Sequence, residues 1–199
     1  MDWVAVGLCA DVPAGTVVPR KVQGTDLAVW CSANGLYHVW GDRCPHRGMR
    51  LSHGFVRGEN LSCIYHGWQY GVDGGCTYIP AHPDLTPPKS ICVQGYRCQS
   101  DGTAIWFALH DTDAKLPDLG FRQAVRTVDI GLPADAVASK LGHGMTSLIS
   151  LGGLYDLAIA LQPSTDNSCL IPAFAGVDQD RKDVSRHLEQ MRMDLEHAP

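Results

Sequence analysis

The stretch that decides the fold runs from Cys44-Pro45-His46 to Cys63-Ile64-Tyr65-His66-Gly67-Trp68. It contains two cysteine–histidine motifs, C-x-H and C-x-x-H, and sixteen residues lie between His46 and Cys63. Cysteine thiolates and histidine imidazoles are common protein ligands of iron and zinc. The spacing therefore predicts two loops that present Cys44, His46, Cys63 and His66 to one metal centre.

The two motifs resemble those of Rieske proteins, in which two cysteines bind one iron of a [2Fe–2S] cluster and two histidines bind the other. The resemblance covers both loops, including Pro45 and the glycine turns at Gly48 and Gly67. It implies a Rieske [2Fe–2S] cofactor with the ligands Cys44, His46, Cys63 and His66. Tyr65 and Trp68 flank His66 in the sequence and are expected either to shield the cluster or, for Trp68, simply to fill the core.

Two other interpretations of the four ligands are open. A zinc site is the first, although zinc fingers usually pair cysteine with cysteine and histidine with histidine along the chain. The second treats the four residues as unrelated and both histidines as ordinary surface groups. The mixed order within each loop favours the cluster.

Met49 and Tyr65 indicate the branch of the Rieske family. Respiratory Rieske proteins carry a further cysteine in each loop, joined by a disulfide, and these two residues stand near those positions. The chain therefore resembles the aromatic-ring-hydroxylating, or Rieske non-haem iron oxygenase, branch and its ferredoxins.

The composition is typical of a globular chain, with 199 residues, 45% hydrophobic, 19% charged and a formal net charge of −5. An acidic balance argues against a nucleic-acid partner. No apolar run reaches the roughly 18 residues of a membrane span, and the start at Met1-Asp2-Trp3-Val4 shows no signal peptide. Of the eight cysteines, two are assigned to iron. Without a secretion signal, the others are expected to be buried free thiols in a reducing, cytoplasmic setting.

Short apolar segments between turns predict a mainly β fold: an antiparallel Rieske sandwich or barrel over residues 1–110, a linker over 111–123 and a truncated α+β oxygenase-like domain over 124–199. Hairpin turns are predicted at Asn34-Gly35 and Asp73-Gly74, and closing strands at 91–93 and 104–109. The predicted elements of the second half are strands at 121–130, 145–151, 153–162 and 168–176, a helix at 134–141 and a hairpin tip at 163–167. A terminal amphipathic helix is predicted from the helical spacing of Val184, Leu188, Met191 and Leu195.

The second half lacks a recognisable second iron site. In the full oxygenases that the chain resembles, a catalytic domain holds a mononuclear iron on two histidines and a carboxylate, usually within D-x-x-H-x4-5-H. Beyond residue 110 the histidines are His143, His187 and His197, and none has this spacing. The resemblance then implies a shortened domain without its own iron.

These features predict an electron-transfer Rieske subunit of a multicomponent oxygenase. Single electrons would pass from an upstream reductase or ferredoxin to the mononuclear iron of a partner catalytic subunit in a hetero-oligomer, with His46 or His66 as the exit ligand. The loop arginines Arg43, Arg47, Arg50 and Arg57 form either a docking rim for an acidic partner or a solvated surface. A free-standing Rieske ferredoxin, a self-contained oxygenase with unrecognised iron ligands and a structural zinc protein are the alternatives. Whether the chain itself is an enzyme stays open.

Overall fold

The computed structural model describes residues 2–197, so Met1, Ala198 and Pro199, at the outer ends of the predicted domains, lie outside it. Residues 2–197 form fifteen strands and two α-helices, and the strands pair in antiparallel fashion. The mainly β, antiparallel fold class is confirmed. None of the helices in this range is long and apolar enough to cross a membrane.

The strands are β1 Val4–Leu8, β2 Val17–Val22, β3 Thr25–Cys31, β4 Tyr37–Gly41, β5 Phe55–Arg57, β6 Asn60–Ser62, β7 Gln69–Gly71, β8 Cys76–Tyr78, β9 Gly95–Ser100, β10 Ala104–Ala108, β11 Arg122–Ile130, β12 Leu148–Leu151, β13 Leu157–Ala160, β14 Gln162–Thr165 and β15 Ser168–Gly176. The helices are α1 Ala134–Lys140 and α2 Arg181–His197.

The chain divides into two compact units. The first, called the loop unit, comprises Asp11–Lys21 and Thr25–Gln99. The second, called the terminal unit, comprises the residues up to Ala10, Val22–Gly24 and the residues from Ser100 onward. The domain boundaries drawn from the sequence, 1–110, 111–123 and 124–199, stay a prediction.

The loop unit contains both predicted hairpins. Strands β3 and β4 pair from Leu27↔Gly41 to Cys31↔Tyr37, and the Asn34-Gly35 turn joins them. Strands β5 to β8 form a four-stranded sheet, in which the Asp73-Gly74 turn joins β7 to β8. Both turn predictions are confirmed.

The predicted strand at 91–93 is reduced to a single antiparallel bridge between Cys92 and Gly75. This segment is held against the β7–β8 turn instead, because the Val93 N–H donates to Gly74 O at 2.9 Å and the Cys76 N–H donates to Ile91 O at 2.9 Å. The Val93 side chain is drawn into the core of the loop unit. The strand begins further on, as β9, and a turn around Asp101-Gly102 leads from it to β10.

The terminal unit contains a five-stranded sheet in the order β11-β15-β13-β12, with β14 also paired to β15. Helix α2 contributes Val184, Leu188 and Leu195 to the core over this sheet, with Met191 partly buried beside them. The amphipathic helix is confirmed. The predicted hairpin tip at 163–167 is too long, because Pro163 pairs with Cys169 inside β14 and the turn shrinks to Asp166-Asn167.

Candidate metal centre

The two predicted loops of the loop unit are closed by the same pair of backbone hydrogen bonds. In the first, Gly48 N–H donates to Cys44 O at 2.9 Å and Cys44 N–H donates to Met49 O at 2.8 Å. In the second, Gly67 N–H donates to Cys63 O and Cys63 N–H donates to Trp68 O, both at 2.9 Å. The glycine four residues after each cysteine adopts φ +70°, which side chains strongly disfavour. Each loop therefore carries its cysteine at its base and its histidine at its tip.

The two cysteines are buried side by side. Cys44 is 3% exposed and Cys63 is 2% exposed, and both belong to the core that contains Trp40, Leu51 and Leu61. Burial raises the pKa of the Cys63 thiol, and Cys44 beside it adds to the rise. Backbone N–H groups of the second loop oppose this rise by donating to the Cys63 sulfur. Metal binding releases the protons of such thiols, so the pair is a potential thiolate ligand set.

The two histidines lie together at the loop tips. The ring centroids of His46 and His66 are 4.7 Å apart, with an angle of 63° between the ring planes. His66 is exposed, whereas His46 is half-buried. Burial lowers the pKa of His46, and the positive charges of His66 and Arg47 lower it further. A neutral imidazole is the form that binds metals.

Two aromatic side chains flank the histidine pair, one at each histidine. Tyr65 covers His66, with the ring centroids 3.9 Å apart. Trp68, two residues after His66 in the sequence, stacks on His46 of the other loop, at 4.1 Å and 6° between the planes. Aromatic pairs of this kind contribute about 0.5–1.5 kcal/mol beyond the area that they bury.

Tyr70 is a site residue that the sequence analysis missed. Its hydroxyl oxygen lies 3.1 Å from the Cys44 sulfur, and its side chain is fully buried. Burial raises the pKa of Tyr70, and the Cys44 sulfur raises it further, so the hydroxyl keeps its proton. The available signal was its position in a short strand directly after the second loop.

A buried carboxylate supports the first loop and was also missed. Asp42, two residues before Cys44, accepts hydrogen bonds from the Ser52 N–H and hydroxyl, both at 2.7 Å. Arg50 reaches both Asp42, at 3.6 Å, and Asp26, at 3.1 Å. These contacts fix the entry and exit of the first loop. An aspartate before a ligand cysteine gives no sign of burial in the sequence.

The four loop arginines differ in how far they are free to meet a partner. Arg50 is held by two carboxylates. Arg43 donates to Gly48 O at 3.2 Å, and the Arg57 guanidinium lies 4.7 Å from the centre of the Phe55 ring. Arg47 is exposed next to His46. The rim is therefore partly a set of loop braces and partly an accessible positive surface.

The donor set fits a Rieske cluster. Such a cluster needs two thiolates for one iron and two neutral imidazoles for the other, and the loops offer the thiols as one adjacent pair and the rings as another. Across residues 2–197, no three His, Cys, Asp or Glu side chains gather as the ligands of one ion would. All eight cysteines are free thiols in the structure.

Each of the three histidines of the second half has a different contact partner. His187 packs on the Tyr155 ring at 5.2 Å, and His197 Nδ1 lies 2.8 Å from Met193 O in its own helix. The His143 N–H donates to Ala138 O at the end of α1. These contacts are those of ordinary surface and helix-end histidines.

Comparison with known proteins finds similarity over the part of the chain that contains this site. Residues 2–96 match the model of the Rieske [2Fe–2S] domain. The chain is 33% identical over 161 residues to the oxidoreductase NdmD of Pseudomonas putida, an alignment that covers 76% of the chain and 27% of that protein. It is 39% identical over 101 residues to the 4β-methylsterol monooxygenase of Methylococcus capsulatus, which covers 46% of the chain and 27% of that protein. The chain spans about a fifth to a third of the length of the curated relatives it matches.

Solved structures share the fold over nearly the whole chain. The QL mutant of NdmA from Pseudomonas putida with theobromine matches with a TM-score of 0.80 at 18% identity, covering 98% of this chain and 80% of that one. Apo dicamba monooxygenase matches with a TM-score of 0.76 at 17% identity, covering 97% of this chain and 81% of that one. At these identities the likeness concerns the fold, and it extends into the terminal unit.

Proposed function

Since residues 2–96 form a Rieske [2Fe–2S] domain and the chain is a relative of the Rieske oxygenases, we propose that it carries electrons to an oxygenase centre on a partner subunit. In this proposal Cys44 and Cys63 hold one iron of the cluster, and His46 and His66 hold the other. The cluster, when bound, accepts and donates one electron at a time.

The observation that carries the proposal is the segregation of the two ligand types. The thiols lie at the buried base of the loops and the imidazoles lie at their tips, where His66 is exposed. An imidazole ligand keeps its second nitrogen for a hydrogen bond to another group, which orients the ring. A partner carboxylate at His66 would meet this nitrogen, so we assign His66 as the exit ligand and His46 as the inner one.

The chemistry of the loop tips supports an acidic partner surface. Arg47 is exposed beside His46, and the exposed apolar residues Ile64 and Tyr65 stand at the tip of the second loop. Complementary charge mainly raises association rates, and such steering weakens with salt. We propose that the partner is a catalytic subunit with a mononuclear iron, that a reductase or ferredoxin supplies the electrons, and that the complex is a hetero-oligomer in the cytoplasm.

Two histidine variants test the ligand assignment. His66→Ala removes one proposed ligand, and we expect loss of the visible absorption and of the Rieske-type EPR signal. His53→Ala is the matched control, because His53 is also exposed and lies outside the loop tips. Circular dichroism checks that both variants fold. An unchanged EPR spectrum of His66→Ala would contradict the assignment.

Metal analysis and a transfer assay test the role. We expect about two irons and no zinc per wild-type chain, and electron transfer from the reduced chain to a candidate catalytic subunit in stopped-flow mixing. About three irons per chain would favour the self-contained oxygenase, and a colourless zinc protein would exclude the cluster. A chain that loads its cluster but transfers no electron to the candidate catalytic subunit would contradict the subunit role.

A further inference from the structure

Four aromatic rings form a continuous series across the tips of the two loops. Trp68 stacks on His46, His46 meets His66 edge to face, and Tyr65 lies against His66. The centroid distances along the series are 4.1, 4.7 and 3.9 Å. The series crosses between the loops twice, because Trp68 belongs to the second loop and contacts the histidine of the first.

Trp68 is the anchored end of this series. Its carbonyl accepts the Cys63 N–H at 2.9 Å, which fixes its backbone at the closure of the second loop. Its indole is partly buried against the core that contains both cysteines. The two ring planes are nearly parallel, with 6° between them, so one face of the His46 ring packs on the indole. Tyr65, at the other end, is 55% exposed.

We propose that Trp68 is a positioning residue that fixes the plane of His46 from the opposite loop and so makes His46 the rigid ligand and His66 the adaptable one. This inference rests on the proposed ligand assignment. The stacking partner restricts rotation of the imidazole, and residues that orient metal-binding histidines commonly control how well the metal is held. The exposed His66–Tyr65 end stays free to adjust to a partner.

Filling of the core is the competing explanation for Trp68, and the two differ in what a leucine does. Trp68→Leu keeps an apolar side chain in the core but removes the ring that faces His46. Trp68→Phe keeps a ring that can stack on the imidazole. Tyr65→Leu is the matched control, because it removes the ring at the exposed end of the same series.

The first measurement uses the cluster-free protein. In proton–carbon NMR, we expect the ring current of the Trp68 indole to displace the His46 ring signals upfield in the wild type, because the two rings stack. We expect these signals to move downfield in Trp68→Leu and much less in Trp68→Phe, while those of His53 and His82 stay in place. If the His46 signals of folded Trp68→Leu match the wild type, the stacking role is overturned. If Trp68→Leu does not fold, the His46 signals of Trp68→Phe are compared with those of the wild type instead. A small downfield shift is then expected, because a phenyl ring has a weaker ring current than an indole.

The second measurement uses the loaded protein. Removal of residues that orient metal ligands typically weakens metal binding by about 10–100-fold. We therefore expect Trp68→Leu to lose its cluster to a chelator about tenfold faster than the wild type. We also expect its EPR g-values and reduction potential to shift, whereas Trp68→Phe stays near the wild type and Tyr65→Leu retains its cluster. A lowered melting temperature with unchanged EPR, potential and retention would reduce Trp68 to a packing residue.

The two measurements separate this inference from the function on which it rests. A wild-type protein without a Rieske EPR signal would overturn the ligand assignment, whatever the NMR of the cluster-free protein shows. A normal wild-type signal with no response to Trp68→Leu would overturn the positioning role alone.

Discussion

At the scale of single residues, the Tyr70 hydroxyl is a polar side-chain group in contact with one of the two buried thiols. It lies 3.1 Å from the Cys44 sulfur, and with Cys44 as a thiolate ligand the hydroxyl would donate the hydrogen bond. Hydrogen bonds to ligand sulfurs help to set the potential of an iron–sulfur centre. Tyr70→Phe should therefore lower the reduction potential, because the extra electron loses that stabilisation.

The expected size follows from the energy of one hydrogen bond. A net contribution of about 1 kcal/mol corresponds to about 40 mV for a one-electron couple, where about 59 mV is a factor of ten. Protein-film voltammetry measures the shift. Tyr78→Phe is the control, since Tyr78 is more than a third exposed on the neighbouring strand. An equal or higher potential in Tyr70→Phe would show that this bond does not act on the cluster.

At the scale of elements, the two loop glycines provide a matched pair. Gly48 and Gly67 both have φ +70°, yet a Cβ at Gly48 meets no atom within 4 Å, whereas one at Gly67 lies 3.0 Å from the Pro80 ring. Gly48→Ala should cost about 1–2 kcal/mol of unfolding free energy from the left-handed backbone alone. Gly67→Ala should cost more, because the ring of Pro80 must also shift.

Urea unfolding of the two alanine variants measures the difference. Equal losses would mean that the Pro80 segment yields at little cost. A smaller loss for Gly67→Ala would contradict the close contact.

A second element-scale prediction concerns the ion pairs that brace the first loop. Asp26 contacts Lys21 at 2.7 Å and Arg50 at 3.1 Å. The hydrogen bond from Lys21, followed by the charge of Arg50, lowers the pKa of Asp26 in the folded chain. Its contribution to stability is therefore present above the unfolded pKa of about 3.9 and is lost as the pH falls through the lower, folded pKa.

Asp26→Asn should accordingly cost about 0.5–1 kcal/mol of unfolding free energy at pH 7, the range of partly exposed pairs. The difference from the wild type should vanish at pH values below the folded pKa. Urea unfolding across this pH range measures it, with Asp84→Asn as the control because Asp84 lies on the exposed proline-rich segment. A deficit that persists in acid would assign the effect to packing rather than to charge.

The same elements show what the sequence could and could not predict. Local signals sufficed where the chain pairs with its own neighbourhood: the Asn34-Gly35 hairpin, the glycine turns and the spacing of Val184 and Leu188 in α2 all have the predicted form. Local signals failed where contacts with residues distant in the sequence determine the structure. The 91–93 segment does not form the predicted strand, because its backbone is hydrogen-bonded to the Gly74 turn and its neighbour Cys76. The positions of Trp68 over His46 and of Tyr70 at Cys44 depend on the meeting of two loops, and no spacing reveals that.

At the scale of the whole molecule, the predicted boundary at residue 110 can be tested by cutting there. The terminal unit buries Trp3, Leu8 and Trp106 together with Leu119 and Phe174 from beyond that point. The Trp3 indole N–H also donates to Ala114 O at 2.8 Å. Fragment 1–110 should therefore expose large apolar side chains, bind a hydrophobic dye and aggregate, although it retains all four proposed ligands.

A point substitution tests the same hydrophobic core of the terminal unit without truncating the protein. Phe174→Ala in the full-length protein should lower the unfolding free energy by about 3–5 kcal/mol. The EPR spectrum of the protein that stays folded should not change, because Phe174 lies in the terminal unit and the proposed ligands lie in the loop unit. Analytical ultracentrifugation of the fragment and urea unfolding of the variant give the two answers. A monomeric fragment that keeps its cluster and melts within a few degrees of the full chain would instead support residues 1–110 as an independent domain. That result would favour a free-standing ferredoxin with an appended second half.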